Sequence, residues 1–166
     1  MWKCGDVRDL VRSFHIPTFP HSHISTFSHL HISTFFVIEK RRSTISGWGV
    51  FATRSISKNT RIVDYAGEKI DNRESLKREG RYLKQGHIWC FKLNRLYVRD
   101  AAVGGNIARY INHACRPNCY TQVVGDTIWI RAARNIRRGE ELSYDYSTDG
   151  DGNIQCRCRP GCQTRF

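Results

Sequence analysis

The chain has 166 residues, an apolar fraction of 40% and a charged fraction of 25%, the proportions of a soluble protein about one domain long. It has no run of about 18 apolar residues to span a bilayer, and its N-terminus, MWKCGDVRDLVRSF, lacks the apolar core and cleavage site of a secretory signal, so an intracellular address is expected. The net charge of +12 favours polyanionic partners such as nucleic acid or nucleoprotein, although solubility alone can produce such a balance.

Residues 15–35 repeat HIPTF, HISTF and HISTF at a spacing of eight. That period is neither a helical heptad nor a solenoid length, and each unit has too few apolar groups to offset its ordering entropy. Residues 1–37 are therefore expected to form a disordered tail. A metal tract built on His15, His21, His23, His29 and His31 is the sharper alternative. Met1 is the only methionine, and the ordered pattern begins just after Val37.

From residue 40 the texture changes to short segments rich in Val, Ile, Tyr, Trp and Phe, broken by Gly, Asn and Asp. GVFAT, RIVDYAG, IWCFKL, TQVV and TIWIRA read as strands, the last two flanking a hairpin loop at Gly125 and Asp126. One helix is predicted from about Arg73 to Gln85, capped by Asn72 or Asp71. Its thin apolar stripe of Leu76, Tyr82 and Leu83 is expected to face the core, and Gly80 weakens it. The fold class is mostly β with few short helices.

Seven cysteines, three of them in CRCRPGC, suit a reducing compartment and metal ligation better than a disulfide framework. Cys156, Cys158 and Cys162 can converge on one ion, but tetrahedral zinc needs a fourth ligand. Cys115 and Cys119 are the candidates, and the Pro117 turn between them lets only one reach. In EELSYDY, strand alternation would place Leu142, Tyr144 and Tyr146 on one face and Ser143 and Asp145 on the other. Two phenols so spaced either pack a core or offer hydroxyls to a substrate amine. Gly47 and Gly49 around Trp48 permit close approach of backbone to a ligand, or serve a turn. The acids Glu140, Glu141, Asp145, Asp149 and Asp151 form a solvated loop or face a basic peptide.

Taken in order, SGWGVFA, VDYAGEKI, GGNIARYINHACRPNC, RNIRRGEELSYDY and CRCRPGC resemble a SET-domain protein-lysine methyltransferase with a zinc-binding post-SET tail, over about residues 40–162. The resemblance implies small β-sheets with a C-terminal pseudoknot over residues 38–147 and a zinc-binding segment over 148–166. It implies that Gly47, Trp48, Gly49, Asn112 and His113 hold S-adenosyl-L-methionine, with Trp89 on the cofactor and channel side. Cys115 would join Cys156, Cys158 and Cys162 around zinc, leaving Cys119 a bystander. Tyr146 would be the catalytic tyrosine, and Tyr144 the ring whose hydroxyl crowds out further methyls, giving mono- or dimethylation. Arg109 would have a structural role in the knot.

Two positions depart from the family pattern. Three residues, Arg159, Pro160 and Gly161, separate the last two cysteines where the family usually has four, and Trp89 stands where the family often has a channel tyrosine. The implied partner is a histone or other DNA-associated protein, with nucleic-acid contact through the basic surface, by a monomer in the nucleus or on chromatin, or in the cytoplasm and nucleoid of a bacterium. The alternative is a catalytically weak, zinc-containing module that binds nucleoprotein.

Overall fold

Strands of two to six residues, too short to stand alone, are assembled by pairing partners distant in the chain. The computed structural model describes residues 37–147 and 154–165, which belong to one compact unit. The expected N-terminal tail, its five histidines, and Asp149 and Asp151 lie outside the described residues; Val37, the last residue of that tail, accepts a hydrogen bond from the Thr53 amide (2.9 Å).

Strands β1 (Ile38–Arg42) and β2 (Trp48–Ala52) form an antiparallel ribbon. A three-stranded sheet orders β3 (Arg61–Asp64), β9 (Thr127–Ala132) and β8 (Cys119–Val124), and a second orders β4 (Glu68–Asp71), β6 (Tyr97–Asp100) and β5 (Cys90–Lys92). The last pair, β7 (Asn112–His113) with β10 (Ser143–Tyr144), runs parallel and brings together segments about thirty residues apart, the crossing that the expected knot requires. Alternation explains β9, where Ile128, Ile130 and Ala132 are wholly buried while Thr127, Trp129 and Arg131 turn outward. The predicted hairpin closes at Val124 and Thr127, and Gly125 (φ 57°) takes the left-handed conformation that its loop demands.

The predicted helix is α1 (Asn72–Lys84), and Asp71 is its cap, accepting from the Glu74 amide (2.8 Å). Its apolar stripe does not face the core: Leu76 is 72% exposed, Leu83 is 44% exposed, and only Ser75 is buried. Polar contacts hold the helix instead. The carboxylate of wholly buried Asp100 accepts from Arg78 Nη1 (2.8 Å), the Tyr82 hydroxyl (2.9 Å) and the Ala102 amide (2.9 Å). Arg78 also reaches Glu68 (2.6 Å) and Glu74 (2.9 Å), so the buried charge is compensated.

The alternation expected for EELSYDY also fails in one place, since Leu142, Ser143 and Tyr144 are all buried. Strand β10 lies inside the crossing: β7 pairs along it, and the Asn118 side chain accepts from the Ser143 amide (2.9 Å), so its residues are buried whichever way they point. Among the described residues, no helix is long and apolar enough to cross a membrane.

Candidate active site and cysteine cluster

The β7–β10 crossing sets Asn112, His113, Tyr144 and Tyr146 side by side. Asn112 is buried, and its amide nitrogen donates to Glu141 Oε1 (2.8 Å), to the Trp48 carbonyl (3.0 Å) and, at longer range, to Ser43 Oγ (3.2 Å) and the Ser46 carbonyl (3.4 Å). Its side chain thus pins the glycine-containing turn to the crossing. Gly47 has φ 45°, a left-handed conformation, and a Cβ on Gly49 would lie 2.8 Å from Glu141 Cδ, so the close approach requires glycine at that position. The Trp48 ring turns outward, 40% exposed, with Arg42 (4.1 Å) and Lys40 (4.7 Å) against its face.

His113 joins the two halves of the site. Its Nδ1 accepts from the Tyr146 amide (3.2 Å), which leaves the proton on Nε2, 3.5 Å from Cys115 Sγ. Burial lowers the pKa of the imidazole, against the pull of the Asp145 carboxylate, and so favours this neutral form. The Tyr146 hydroxyl donates to the Ile111 carbonyl (2.9 Å), and burial pushes its phenol well above the ordinary value.

A chain of rings continues from there. Tyr146 lies 5.0 Å from Tyr144, Tyr144 lies 5.8 Å from Phe91, and Phe91 lies 5.2 Å from Tyr65. Tyr65 donates its hydroxyl to the Trp89 carbonyl (2.9 Å). The Tyr144 ring is buried, but its hydroxyl, which takes no hydrogen bond from the described residues, is not sealed in: the residue lines a groove, and no buried side-chain oxygen among the described residues lacks a partner. Burial raises the pKa of both Tyr65 and Tyr144, so all three phenols are neutral at ordinary pH.

These rings form one end of a groove of about 840 Å³ whose other wall is α1. Trp89 lines it just before β5, stacked on His87 (4.2 Å) and packed on Tyr82 (5.3 Å). Arg109 lies over both Trp89 (5.5 Å) and Tyr110 (4.8 Å), donating to the Ala101 carbonyl (3.1 Å) and the Tyr110 hydroxyl (2.7 Å).

The four cysteines expected to ligate metal converge: Cys115, Cys156, Cys158 and Cys162 have all their sulfurs within 4.8 Å of one another. A tetrahedron of zinc–thiolate bonds of about 2.3 Å has edges near 3.8 Å. The contacts of Cys115 with Cys162 (3.6 Å) and Cys156 (3.8 Å), and of Cys158 with Cys162 (3.9 Å), fit that figure. The shortened spacing at Arg159–Gly161 does not prevent closure, because Gly161 turns with φ 68° and returns Cys162 to the cluster. Hydrogen bonds from Thr164 lower the pKa of Cys162 to about 6, towards the thiolate that a metal binds. Cys119 is buried in the hydrophobic core, away from the cluster, and its thiol is raised to about 12 by burial.

Three contributors escaped the sequence reading. Tyr65 and Phe91 look like ordinary strand aromatics, and only the packing of β5 against β10 shows their role. Glu141 sits in an acidic run that reads as solvated, yet it accepts from both Asn112 and Ser43 (2.8 Å).

Residues 47–147, from the left-handed glycine to just past Tyr146, match the SET domain family model. The chain belongs to the SET-domain family. It is 45% identical over 131 residues to the histone-lysine N-methyltransferase trr of Drosophila melanogaster, a match covering 74% of this chain and 5% of the relative. Over 133 residues it is 41% identical to an H3 lysine-4 specific histone-lysine N-methyltransferase of Emericella nidulans, covering 74% of this chain and 11% of the relative. The histone-lysine N-methyltransferase set1 of Dictyostelium discoideum is 40% identical over 134 residues, with 76% of this chain and 9% of the relative covered. This SET domain therefore spans only a small part of the length of the relatives it matches.

Proposed function

We propose that this SET domain transfers a methyl group from S-adenosyl-L-methionine to a lysine of a histone or other basic, DNA-associated protein. The observation that carries the reading is Tyr144 at the end of the groove: its ring is packed against Phe91 and Tyr146, while its hydroxyl is not sealed in the core and takes no hydrogen bond from the described residues. A lysine amine has a pKa of about 10.4 and must lose its proton before it can act as a nucleophile. Aromatic walls that exclude water disfavour the ammonium form. The neutral phenols are not bases, so the proton leaves to water.

Their task is orientation. The amine lone pair forms a bond to the methyl carbon as the carbon–sulfur bond breaks, and the positive charge passes from sulfur to nitrogen. When bound, the cofactor supplies the methyl group on a sulfonium. The Gly47–Gly49 segment, Asn112 and His113 would hold it, while Arg109, bonded to the Ala101 carbonyl and the Tyr110 hydroxyl, would brace the wall behind Trp89. With zinc bound, the four cysteines would hold the C-terminal segment beside His113. A Tyr144 hydroxyl bonded to the amine or to a water leaves no room for a third methyl, so the products are mono- and dimethyllysine. The names of the relatives favour a histone target, hence work on chromatin, and the +12 charge suits nucleic-acid contact beside the target by a monomer.

The test incubates the pure chain with methyl-labelled cofactor and histones and counts methyls by mass spectrometry. Tyr146→Phe is expected to slow transfer on the order of 10²-fold, the scale for loss of one preorganised polar group. Tyr144→Phe is expected to admit a third methyl. Label unchanged in Tyr146→Phe, or no calorimetric heat with the cofactor, would return the chain to a non-catalytic, zinc-containing nucleoprotein binder.

A further inference from the structure

Helix α1 lines the groove with Asn72, Ser75, Leu76, Glu79, Tyr82 and Leu83, and among these Leu76, Glu79 and Leu83 form a stripe at helical spacing. Two exposed leucines on one wall, with Gly80 between them and nothing within 4 Å of where its Cβ would sit, are not accounted for by packing among the described residues. Glu79 is half-buried, and the groups acting on it are the Cys90 thiol and Asp100, neither of them a cation. Burial raises its carboxyl above the ordinary value, the mark of a carboxylate that has shed water without gaining a positive partner. The other charged groups lining the groove are Asp145, Lys92 and Arg95, and none of these cations lies within salt-bridge distance of Glu79.

We infer that the α1 wall reads the target chain: a basic residue flanking the modified lysine pairs with Glu79, while neighbouring aliphatic groups rest on Leu76 and Leu83. The inference rests on the methyltransferase reading for the identity of the occupant. It adds that the substrate is a segment with a second positive charge at one fixed distance from its target lysine.

The test uses fluorescein-labelled lysine peptides in which arginine or citrulline is placed at each flanking position in turn, with binding to the full chain read by anisotropy. At one position arginine is expected to bind about tenfold more tightly than citrulline, a difference of about 1.4 kcal/mol. Glu79→Gln should abolish that preference, Glu79→Lys should transfer it to a glutamate peptide, and Leu76→Ala should weaken both peptides alike. A preference that survives in Glu79→Gln, or no peptide binding at all, overturns the inference, the latter in favour of a folded partner on α1. Methyl transfer measured on the same peptides keeps the two ideas apart. Transfer without charge preference sinks only the role of α1; charge-selective binding without transfer sinks only the catalytic reading.

Discussion

The aromatic corner and the cysteine cluster meet at His113 but are held by different forces. Tyr144 and Tyr146 are fixed by burial, by ring contacts and by the β7–β10 crossing. The described C-terminal segment, 154–165, has one β-bridge, Gln155 with Arg165, and its only buried residues are Cys156 and Cys162. Packing builds the first region; four sulfurs build the second. The aromatic corner should therefore persist without metal, while the order of the C-terminal segment should not.

Cysteine substitution is the sharpest way to break this contrast. Cys115→Ser is expected to lower bound zinc from about one ion per chain to none, whereas Cys119→Ser keeps it, as metal analysis of the purified variants would show. Chelation should loosen the backbone around exposed Arg157 enough for trypsin to cut the Arg157–Cys158 bond while the core resists, and simultaneous digestion of both regions would end the distinction. On the packed side, Asn112→Ala leaves the Glu141 carboxylate with the Ser43 hydroxyl but without its amide donor, and is expected to cost about 1–3 kcal/mol in urea unfolding. Gly80→Ala touches neither region and should stabilise the chain by about 1 kcal/mol, because the new methyl meets nothing.

Glu140 gives a smaller, pH-dependent check. Bonds from Arg134, the Arg137 amide and Asn118 hold its carboxyl down at about 2. The unfolded chain then takes up the proton first, so this contribution is full above the ordinary carboxylate range and is lost as pH falls towards 2. Glu140→Gln should flatten that part of the acid-stability curve, measured by melting temperature against pH. An unchanged slope would mean that the bonds gathered around the crossing do not stabilise it.

Much of the site was legible because its chemistry is unusual. Four thiols with no disulfide arithmetic, an Asn-His pair and two phenols two residues apart are rare combinations, and their positions survived folding. The hairpin and the cap of α1 were legible for a different reason, since glycine and aspartate act locally. What was hidden depends on neighbours far along the chain. β6 was missed because four residues of mixed character pair only once β4 and β5 flank them. The stripe on α1 was read towards the core because periodicity gives a face but not its direction, and the buried Asp100 that orients the helix is 22 residues from Arg78. Glu141 looked like any surface acid until Asn112 met it.

The bond from Tyr65 ends on the main-chain oxygen of Trp89 rather than on its side chain. Whatever amino acid stands at that position, the phenol keeps its anchor. Exchanging the indole would therefore change its contacts with Tyr82 and His87, and with them the width of the groove, while the tie between the chain entering β5 and Tyr65 stays fastened.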